Sequence, residues 1–341
     1  MAPETMKNHA PRLSIVVKAL NEERLIDACL RSAVSEAERF NGEVILVDSL
    51  STDRTLQIAS GYPIRIVQFE SVSDRGCGAA MQLGYQFAEG DFVYLLDGDM
   101  ALCPGFIEHA LRYLEQFPDV AGVGGRLVDQ QVNTAADRRR VAQYDSLQHE
   151  QDVQDLGGGG LYRRSAIEAV GYLAHRWLPA CEESELGARL VSAGWRLVRL
   201  PCASVTHTGH KETTWQMLRR LWRNRRMHAY GMFLRSSSGK PWQWRAARVA
   251  RHVFVAPALY LLSILAAVVL SGFGVPVGES LLGCGLVIWL GVLALMALKK
   301  KDIVEAVYSI IAWHFYTVAA LIGFFSPIGD PLAPISSRVI Q

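Results

Sequence analysis

The chain has 341 residues, half of them hydrophobic, and its formal net charge is only +2. Such a length suggests more than one domain, and a composition so apolar yet so weakly charged points to a membrane part and gives no reason to expect nucleic acid as a partner. The six cysteines form no CxxC pair, which argues against a zinc site or a disulfide framework and fits a reducing compartment. Residues 1–12 are polar and lack the apolar stretch of a cleaved signal peptide.

Residues 13–17 are a short apolar run, rich in β-branched residues, that turns polar at Lys18, so a strand and then a loop are expected. Residues 24–40 carry Leu25, Cys29, Val34 and Ala37 near helical spacing. A second strand over 43–47 ends at Asp48, and residues 49–53 supply turn and N-cap chemistry for a helix over 54–59. A third strand is expected over 64–69, and a helix opening through Gly76 and Gly78 runs to about Ala88. Residues 92–96 are apolar enough for a strand buried on both faces of a sheet. Strands alternating with helices, with long crossovers between them, predict a parallel α/β sheet.

Further on, the pattern predicts a helix over 104–117 and a strand over 120–128, then a polar, weakly periodic stretch over 129–155. Four glycines at 157–160 must bend sharply or approach something closely. A strand-to-helix segment follows over 161–170, then an amphipathic helix beyond Glu182 that closes at Gly194, a strand over 195–201, and a loop over 204–210. From residue 211 arginines interleave with Trp215 and Trp222, as in a helix lying in a membrane interface. Residues 253–271 and 280–298 carry no charge, and 303–325 carry only Glu305. Each is long enough to cross about 30 Å of hydrocarbon. The expected organisation is therefore a domain over 1–210, basic interface helices over 211–252, about three membrane spans over 253–325 and a short tail over 326–341. The arginine cluster and Lys299 to Lys301 fall on one side of these spans. The positive-inside rule then predicts an integral membrane protein, of the inner membrane in a bacterium, with a cytoplasmic N-terminal domain and the tail on the far side.

The chemistry concentrates at Asp97-Gly98-Asp99, where the strand over 92–96 ends. In open α/β sheets ligands bind beyond the carboxyl ends of the strands. Two acids this close repel unless a cation joins them, and a divalent metal carrying a diphosphate is the usual solution. Asp48 also stands at a strand end, where a carboxylate can accept from a nucleobase N–H or a ribose hydroxyl, or else serve a helix N-terminus. Asn21 and Glu22, at the mouth of the neighbouring strand, line the same pocket or an ordinary loop. Glu182, Glu183 and Glu185 suit proton transfer, or simply the positive end of a helix.

These segments together resemble the family 2 glycosyltransferases of the GT-A fold, over about residues 13–207. The first motif, a strand and a loop ending Asn-Glu, is matched by Ser14 to Val17 and by Asn21-Glu22, with Lys18 or Ala19 where the loop usually has proline. The second, Asp-Asp-Gly-Ser-Thr-Asp, reads Asp48-Ser49-Leu50-Ser51-Thr52-Asp53, so its second Asp and its Gly are missing. The third is matched by Arg75-Gly76 and by Gly78-Ala79-Ala80-Met81-Gln82-Leu83-Gly84, the fourth by Asp97-Gly98-Asp99, and the fifth, Glu-Asp-x-Asp-Leu, by Glu182-Glu183-Ser184-Glu185-Leu186.

The resemblance implies a nucleotide-diphosphate-sugar transferase domain with a mostly parallel sheet, followed by transmembrane helices. It assigns Ala19, Asn21, Glu22, Asp48, Ser51, Asp53, Arg75, Gly76, Ala80, Asp97 and Gly98 to the nucleotide sugar. Asp97, Asp99 and His207 are assigned to Mg²⁺ or Mn²⁺. Glu183 becomes the candidate general base, with Glu182 as its substitute, and Gly158, Gly159, Glu182 and Trp177 border the acceptor. The implied activity is inverting transfer of a sugar to a saccharide hydroxyl, on a lipid-linked or exported glycan, at the cytoplasmic face of the membrane. A lipid phosphate would need no general base, so polyprenyl-phosphate transfer is the alternative. A catalytically inactive membrane subunit is the remaining one, suggested by the altered second motif.

Overall fold

The computed structural model describes residues 11–208 and 212–341. The chain divides into two compact units, one comprising residues up to 211 together with Gly329–Gln341, the other Glu212–Ile328.

The first unit opens with β1 (Leu13–Ala19), α1 (Ile26–Arg39), β2 (Gly42–Asp48), α2 (Thr55–Ala59), β3 (Arg65–Phe69), α3 (Cys77–Phe87) and β4 (Phe92–Asp97). The four strands pair in parallel in the order β3-β2-β1-β4. Side chains alternate across the sheet, and both faces are covered. Ile15, Val17, Leu46 and Tyr94 pack with Ile26 and Leu30 of α1 on one face. Val16, Ile45, Val47 and Val93 pack with Ala79, Met81 and Leu83 of α3 on the other. That double burial is why these strands read as unbroken apolar runs, and it leaves polar residues only where strands end.

The chain continues through β5 (Met100–Leu102), α4 (Phe106–Gln116), β6 (Val120–Asp129), α5 (Ala135–Asp145), β7 (Gln151–Asp152), β8 (Gly160–Arg163), α6 (Arg164–Ala169), α7 (Glu182–Ser192) and β9 (Arg196–His207). Strand β8 runs antiparallel between β4 and β6, so the sheet is mixed but mostly parallel. Strand β9 does not stop at Pro201. It continues to His207 because β5, which starts one residue after Asp99, pairs with it in the register Met100↔His207, Ala101↔Thr206 and Leu102↔Val205. A three-residue strand carries too little periodicity to be read from sequence.

The tail also departs from expectation. Strand β10 (Ser337–Val339) lies antiparallel on β3, with Arg338 opposite Gln68. Trp177 Nε1 donates to the Asp330 carbonyl at 3.0 Å, and Arg176 Nη1 donates to the Ala333 carbonyl at 3.0 Å. Residues 329–341 thus complete the sheet edge of the first unit and do not form a separate segment beyond three spans. So short a strand, supplied from the far end of the chain, has no local signal.

The second unit holds α8 (Thr214–Arg223), α9 (Ala229–Ser237), α10 (Gln243–Val249), α11 (Val255–Gly272), α12 (Val277–Lys300) and α13 (Ile303–Phe325). The spans ending at Gly272, Lys300 and Phe325 are long and apolar enough to cross a membrane.

Candidate active site

The loops after β1 and β2 are laced together. Asn21 takes a left-handed backbone (φ 58°), which asparagine tolerates better than most residues. Its N–H donates to Ser51 Oγ at 2.9 Å, and its Oδ1 accepts from the Thr52 N–H at 2.8 Å. The Glu22 N–H donates to Thr55 Oγ1 at 2.8 Å. Asp53 accepts from the N–H groups of Glu23 at 3.1 Å and Thr55 at 2.9 Å, so it ties the two loops and caps α2. Leu50 sits at φ 62° where the related motif has glycine, a conformation costly for a leucine.

Asp48 is fully buried at the end of β2. Its Oδ2 accepts from Gln68 Nε2 at 2.9 Å and from the Ser51 N–H at 3.1 Å. Gln68 Oε1 accepts in turn from Arg338 Nη2 at 2.6 Å. Arg75 reaches the same loop, its Nη1 3.4 Å from the Ser49 carbonyl, with Gly76 beside it as the N-cap of α3. Ala80 is buried inside α3, in the core, and offers no surface to a ligand.

Between the two acids, the Gly98 N–H donates to the Lys18 carbonyl at 2.9 Å. A Cβ there would lie 3.1 Å from Ala19 Cβ and 3.2 Å from Glu22 Cγ, so the close approach of β4 to β1 favours glycine. The acids face different partners. Asp97 Oδ1 is 3.2 Å from Lys18 Nζ, and that ammonium is also 2.7 Å from Glu182 Oε1. Asp99 Oδ2 is 3.3 Å from His207 Nε2, and His207 Nδ1 is 2.7 Å from Asp129 Oδ1. Arg140 holds Asp129 from behind, with Nε at 2.7 Å. Sequence reasoning missed Lys18, Asp129 and Arg140 as site residues. A lysine closing an apolar strand was the available signal for the first; the others depend on the β5–β9 pairing.

Helix α7 begins at Glu182, preceded by Cys181 in a left-handed conformation (φ 68°). Glu182 is buried against Lys18, and Glu183 beside it is half-buried. Glu185 is taken up in structure: Arg189 Nε lies 2.8 Å from it and the Tyr172 hydroxyl donates to it at 2.8 Å. The glycine run packs tightly on the strands ahead of it. A Cβ on Gly158 would meet Met100 Cε at 2.8 Å, and Gly159 adopts φ 87° with the Tyr94 hydroxyl 3.0 Å from where its Cβ would be. Trp177 is 37% exposed and holds the C-terminal tail. His210, in the loop that follows His207, lies outside the described residues.

Charge in this cluster is out of balance. Burial raises the Glu183 pKa to about 8, reinforced by Glu182 and opposed by Lys18. Burial and then Asp99 and Asp97 raise Glu22 to about 7. Burial also raises Asp97, against the pull of Lys18. Burial works against charge on Lys18, but Asp97, Glu182 and Glu183 overcome it and keep the ammonium charged. Burial likewise opposes charge on His207, yet Asp99 and Asp129 raise its pKa to about 9. Among the described residues, Glu22, Asp97, Asp99, Glu182 and Glu183 gather around Lys18 and His207, more carboxyls than cations, an imbalance that a divalent ion would offset.

Among the described residues no three or more His, Cys, Asp and Glu side chains are gathered into a complete metal cage. Asp99 and His207 do offer a carboxylate and an imidazole nitrogen, with Asp129 orienting the ring from its other nitrogen. Two protein ligands suit an ion whose other positions are filled by phosphate oxygens and water. The residues fit such an ion.

A sequence profile described as "Glycosyl transferase family 2" matches residues 14–171. The chain is 28% identical over 173 residues to the putative glycosyltransferase EpsH of Bacillus subtilis, covering 47% of this chain and 49% of the relative. It is 27% identical over 209 residues to the O-antigen chain rhamnosyltransferase WbaN of Salmonella anatum, covering 58% of this chain and 66% of the relative. It thus spans about half of the first relative's length and just under two thirds of the second's. The mannosyltransferase PcManGT of Pyrobaculum calidifontis, solved in complex with GDP-Man and Mn²⁺, superposes with a TM-score of 0.58 at 19% identity, covering 93% of this chain and 88% of that one. At that identity the likeness is one of fold, and it matches the GT-A architecture expected from sequence.

Proposed function

Because residues 14–171 belong to glycosyl transferase family 2, we propose that the protein transfers a sugar, with inversion, from a nucleotide-diphosphate sugar to a hydroxyl of a saccharide acceptor. The observation that carries this reading is Lys18, which joins Asp97 at the end of β4 to Glu182 at the start of α7 and so makes the acid triplet and Glu183 parts of one centre. Asn21 and Arg75 receive the nucleoside end of the donor, and Asp48, fully buried, holds the loop after β2 in place for it through the Ser51 N–H. Asp99 and His207 would hold Mg²⁺ or Mn²⁺, which when bound supplies positive charge to the departing diphosphate. Glu183 takes the proton of the acceptor hydroxyl as that oxygen attacks the anomeric carbon from the face opposite the nucleotide. Lys18 holds Glu182 ionised, and that charge keeps Glu183 a strong enough base for the transfer. A lipid phosphate acceptor would leave so tuned a carboxylate without a task.

The same reading makes the chain an integral membrane protein with the first unit at the cytoplasmic face, supported by three long apolar helices and by the arginines and lysines that flank them. The acceptor is a glycan or a lipid-linked glycan at that face. Membranes carrying the protein are incubated with radiolabelled nucleotide sugars and Mn²⁺. After mild acid the label is expected in a saccharide larger than the donor's own sugar, because the new bond is an acid-stable glycoside, and this product is lost in Asp99→Ala. Release of the label as the single sugar from a lipid glycosyl phosphate would overturn the hydroxyl acceptor, and no turnover of any donor would overturn the enzymatic reading.

A further inference from the structure

The C-terminal strand restricts how the second unit meets a membrane. Both ends of that unit join the same sheet: His207 closes β9, and β10 lies on β3. The tail is fastened there by more than the strand register. The Glu70 N–H donates to the Ser336 carbonyl at 3.1 Å, the Ile340 N–H to the Ile66 carbonyl at 2.8 Å, and Trp177 and Arg176 hold Asp330 and Ala333. Helix α13 ends at Phe325, five residues before Asp330. Five extended residues reach at most about 18 Å, less than the roughly 30 Å of hydrocarbon. The end of α13 therefore lies on the same side of the bilayer as the sheet, and the chain between residues 208 and 329 crosses an even number of times. Three spanning helices do not satisfy that condition.

The packing inside the second unit identifies the helix that does not cross. Helices α11 and α12 are joined by the short link 273–276 and pack on each other, and none of the apolar window of α12 is covered by protein. They have the form of a lipid-immersed hairpin. Helix α13 is the least apolar and the most covered of the three. Its two faces differ. Ala306, Ser309, Ala312, Ala319, Ala320 and Gly323 are buried or in close backbone contact, while Val304, Phe315, Val318, Leu321, Ile322 and Phe325 are exposed. Mostly small residues on one side, with Tyr308 among them, and large apolar ones on the other mark a helix lying between protein and lipid.

Its position relative to the hairpin agrees. Glu305 near the start of α13 is 3.9 Å from Lys300 at the end of α12. Thr317 Oγ1, twelve residues further on, donates at 2.7 Å to the Val253 carbonyl just before α11. Those residues are about 18 Å apart along a helix, yet both touch the basic end of the hairpin. Between them His314 Nε2 reaches the Tyr260 hydroxyl, 3.0 Å away and one turn into α11. The His314 ring also packs on Trp289 of α12, centroids 5.1 Å apart, so α13 leans against the hairpin for some turns from that end. Helix α13 carries α8 and α9, and Trp215 and Trp222 of α8 stack edge-on against Tyr308 on its covered face and Phe315 on its exposed one. Arg219 and Arg223 of α8, both exposed, bring positive charge to the same assembly, while Arg220 is paired with Glu212.

We infer that α11 and α12 cross the membrane as a hairpin, and that α13 lies in the headgroup region on the side of the catalytic sheet, its exposed apolar face against lipid. This rests on the second unit being membrane-embedded but not on the proposed chemistry. The test uses full-length single substitutions, Val275→Cys at the hairpin tip and Leu332→Cys in the tail, both at exposed positions. Sealed right-side-out and inverted vesicles are labelled with a membrane-impermeant maleimide and read site by site by mass spectrometry. Native Cys103 and Cys202, both partly exposed in the first unit, mark the catalytic side. Residue 332 is expected to label in the orientation that labels Cys103, and residue 275 in the opposite one. Labelling of residue 332 from the other side would restore three crossings and overturn the inference, and labelling of residue 275 from the catalytic side would remove the hairpin. Val277→Cys and Ile340→Cys repeat both readings should either first variant misfold. Full extraction of the protein by alkaline carbonate would instead remove the membrane-embedded premise.

Discussion

Lys18 Nζ lies 2.7 Å from Glu182 Oε1, an ion pair in which Lys18 keeps 13% and Glu182 3% side-chain exposure. The same ammonium neutralises Asp97 at 3.2 Å. Removing it leaves two carboxylates without their cation in a poorly solvated place, the situation in which breaking a buried pair costs about 3–5 kcal/mol. Lys18→Met is expected to lower unfolding stability by that order in chemical denaturation of the detergent-solubilised protein. A loss below about 1 kcal/mol would show that the two acids are better solvated than the packing implies.

The pKa of about 8 on Glu183 sets a pH profile. A general base works in its ionised form, so activity rises with pH through the neighbourhood of 8 and levels off above it. At pH 7 about a tenth of the sites are competent, since one pH unit is a factor of ten in ionisation. Glu183→Gln is expected to cost about 10²-fold or more in kcat and to abolish the rising limb, with donor binding retained. Retention of the limb in the variant would assign the titration to Glu22, raised to about 7 at the same centre.

The parts of this design carried by local pattern were readable in advance. Strands β1 to β4 are apolar runs because both faces of the sheet are covered, and Asp48, Asp97 and Asp99 stand where those runs end. What escaped was everything that depends on pairing between distant segments. Asp129 and His207 meet only because β6 and β9 end together, and β9 reaches that far only because β5 pairs with it. Lys18 looked like a departure from a motif until α7 brought Glu182 to it. Leu50, another such departure, takes a left-handed backbone, the conformation in which glycine costs least, so the position suits the motif's glycine although the residue differs. The role of the last residues was the least legible, because a three-residue edge strand has no periodicity and its partner lies about 270 residues earlier.

The contact of His207 Nδ1 with Asp129 at 2.7 Å bears on metal dependence. A carboxylate there fixes the ring so that Nε2 faces Asp99, and loss of such a partner costs about 10–100-fold in metal affinity. Asp129→Asn is therefore expected to raise the Mn²⁺ concentration giving half-maximal activity by that factor, with most of the activity recovered at saturating metal. Chelation should abolish turnover in both proteins. An unchanged Mn²⁺ requirement in Asp129→Asn would remove His207 from the ion's surroundings.

The chain Arg338–Gln68–Asp48 links the C-terminal strand to the nucleoside end of the site. Arg338 fills the carbonyl side of the Gln68 amide and so leaves its NH₂ to hold Asp48 at 2.9 Å. Without Arg338 the amide is free to turn, and the carboxylate loses a neighbour that holds it against the Ser51 loop at the nucleoside end. Such a contact is worth about 0.5–1.5 kcal/mol net, or roughly 2- to 10-fold in an equilibrium. Arg338→Ala should raise the donor KM by that factor while kcat at saturating donor stays close to wild type, because the contact serves ground state and transition state alike. Gln68→Glu, which places a second carboxylate beside Asp48, should raise KM further, and Arg338→Lys should recover part of the loss. A fall in kcat at unchanged KM would mean that the strand acts on the acid centre and not on the nucleoside end.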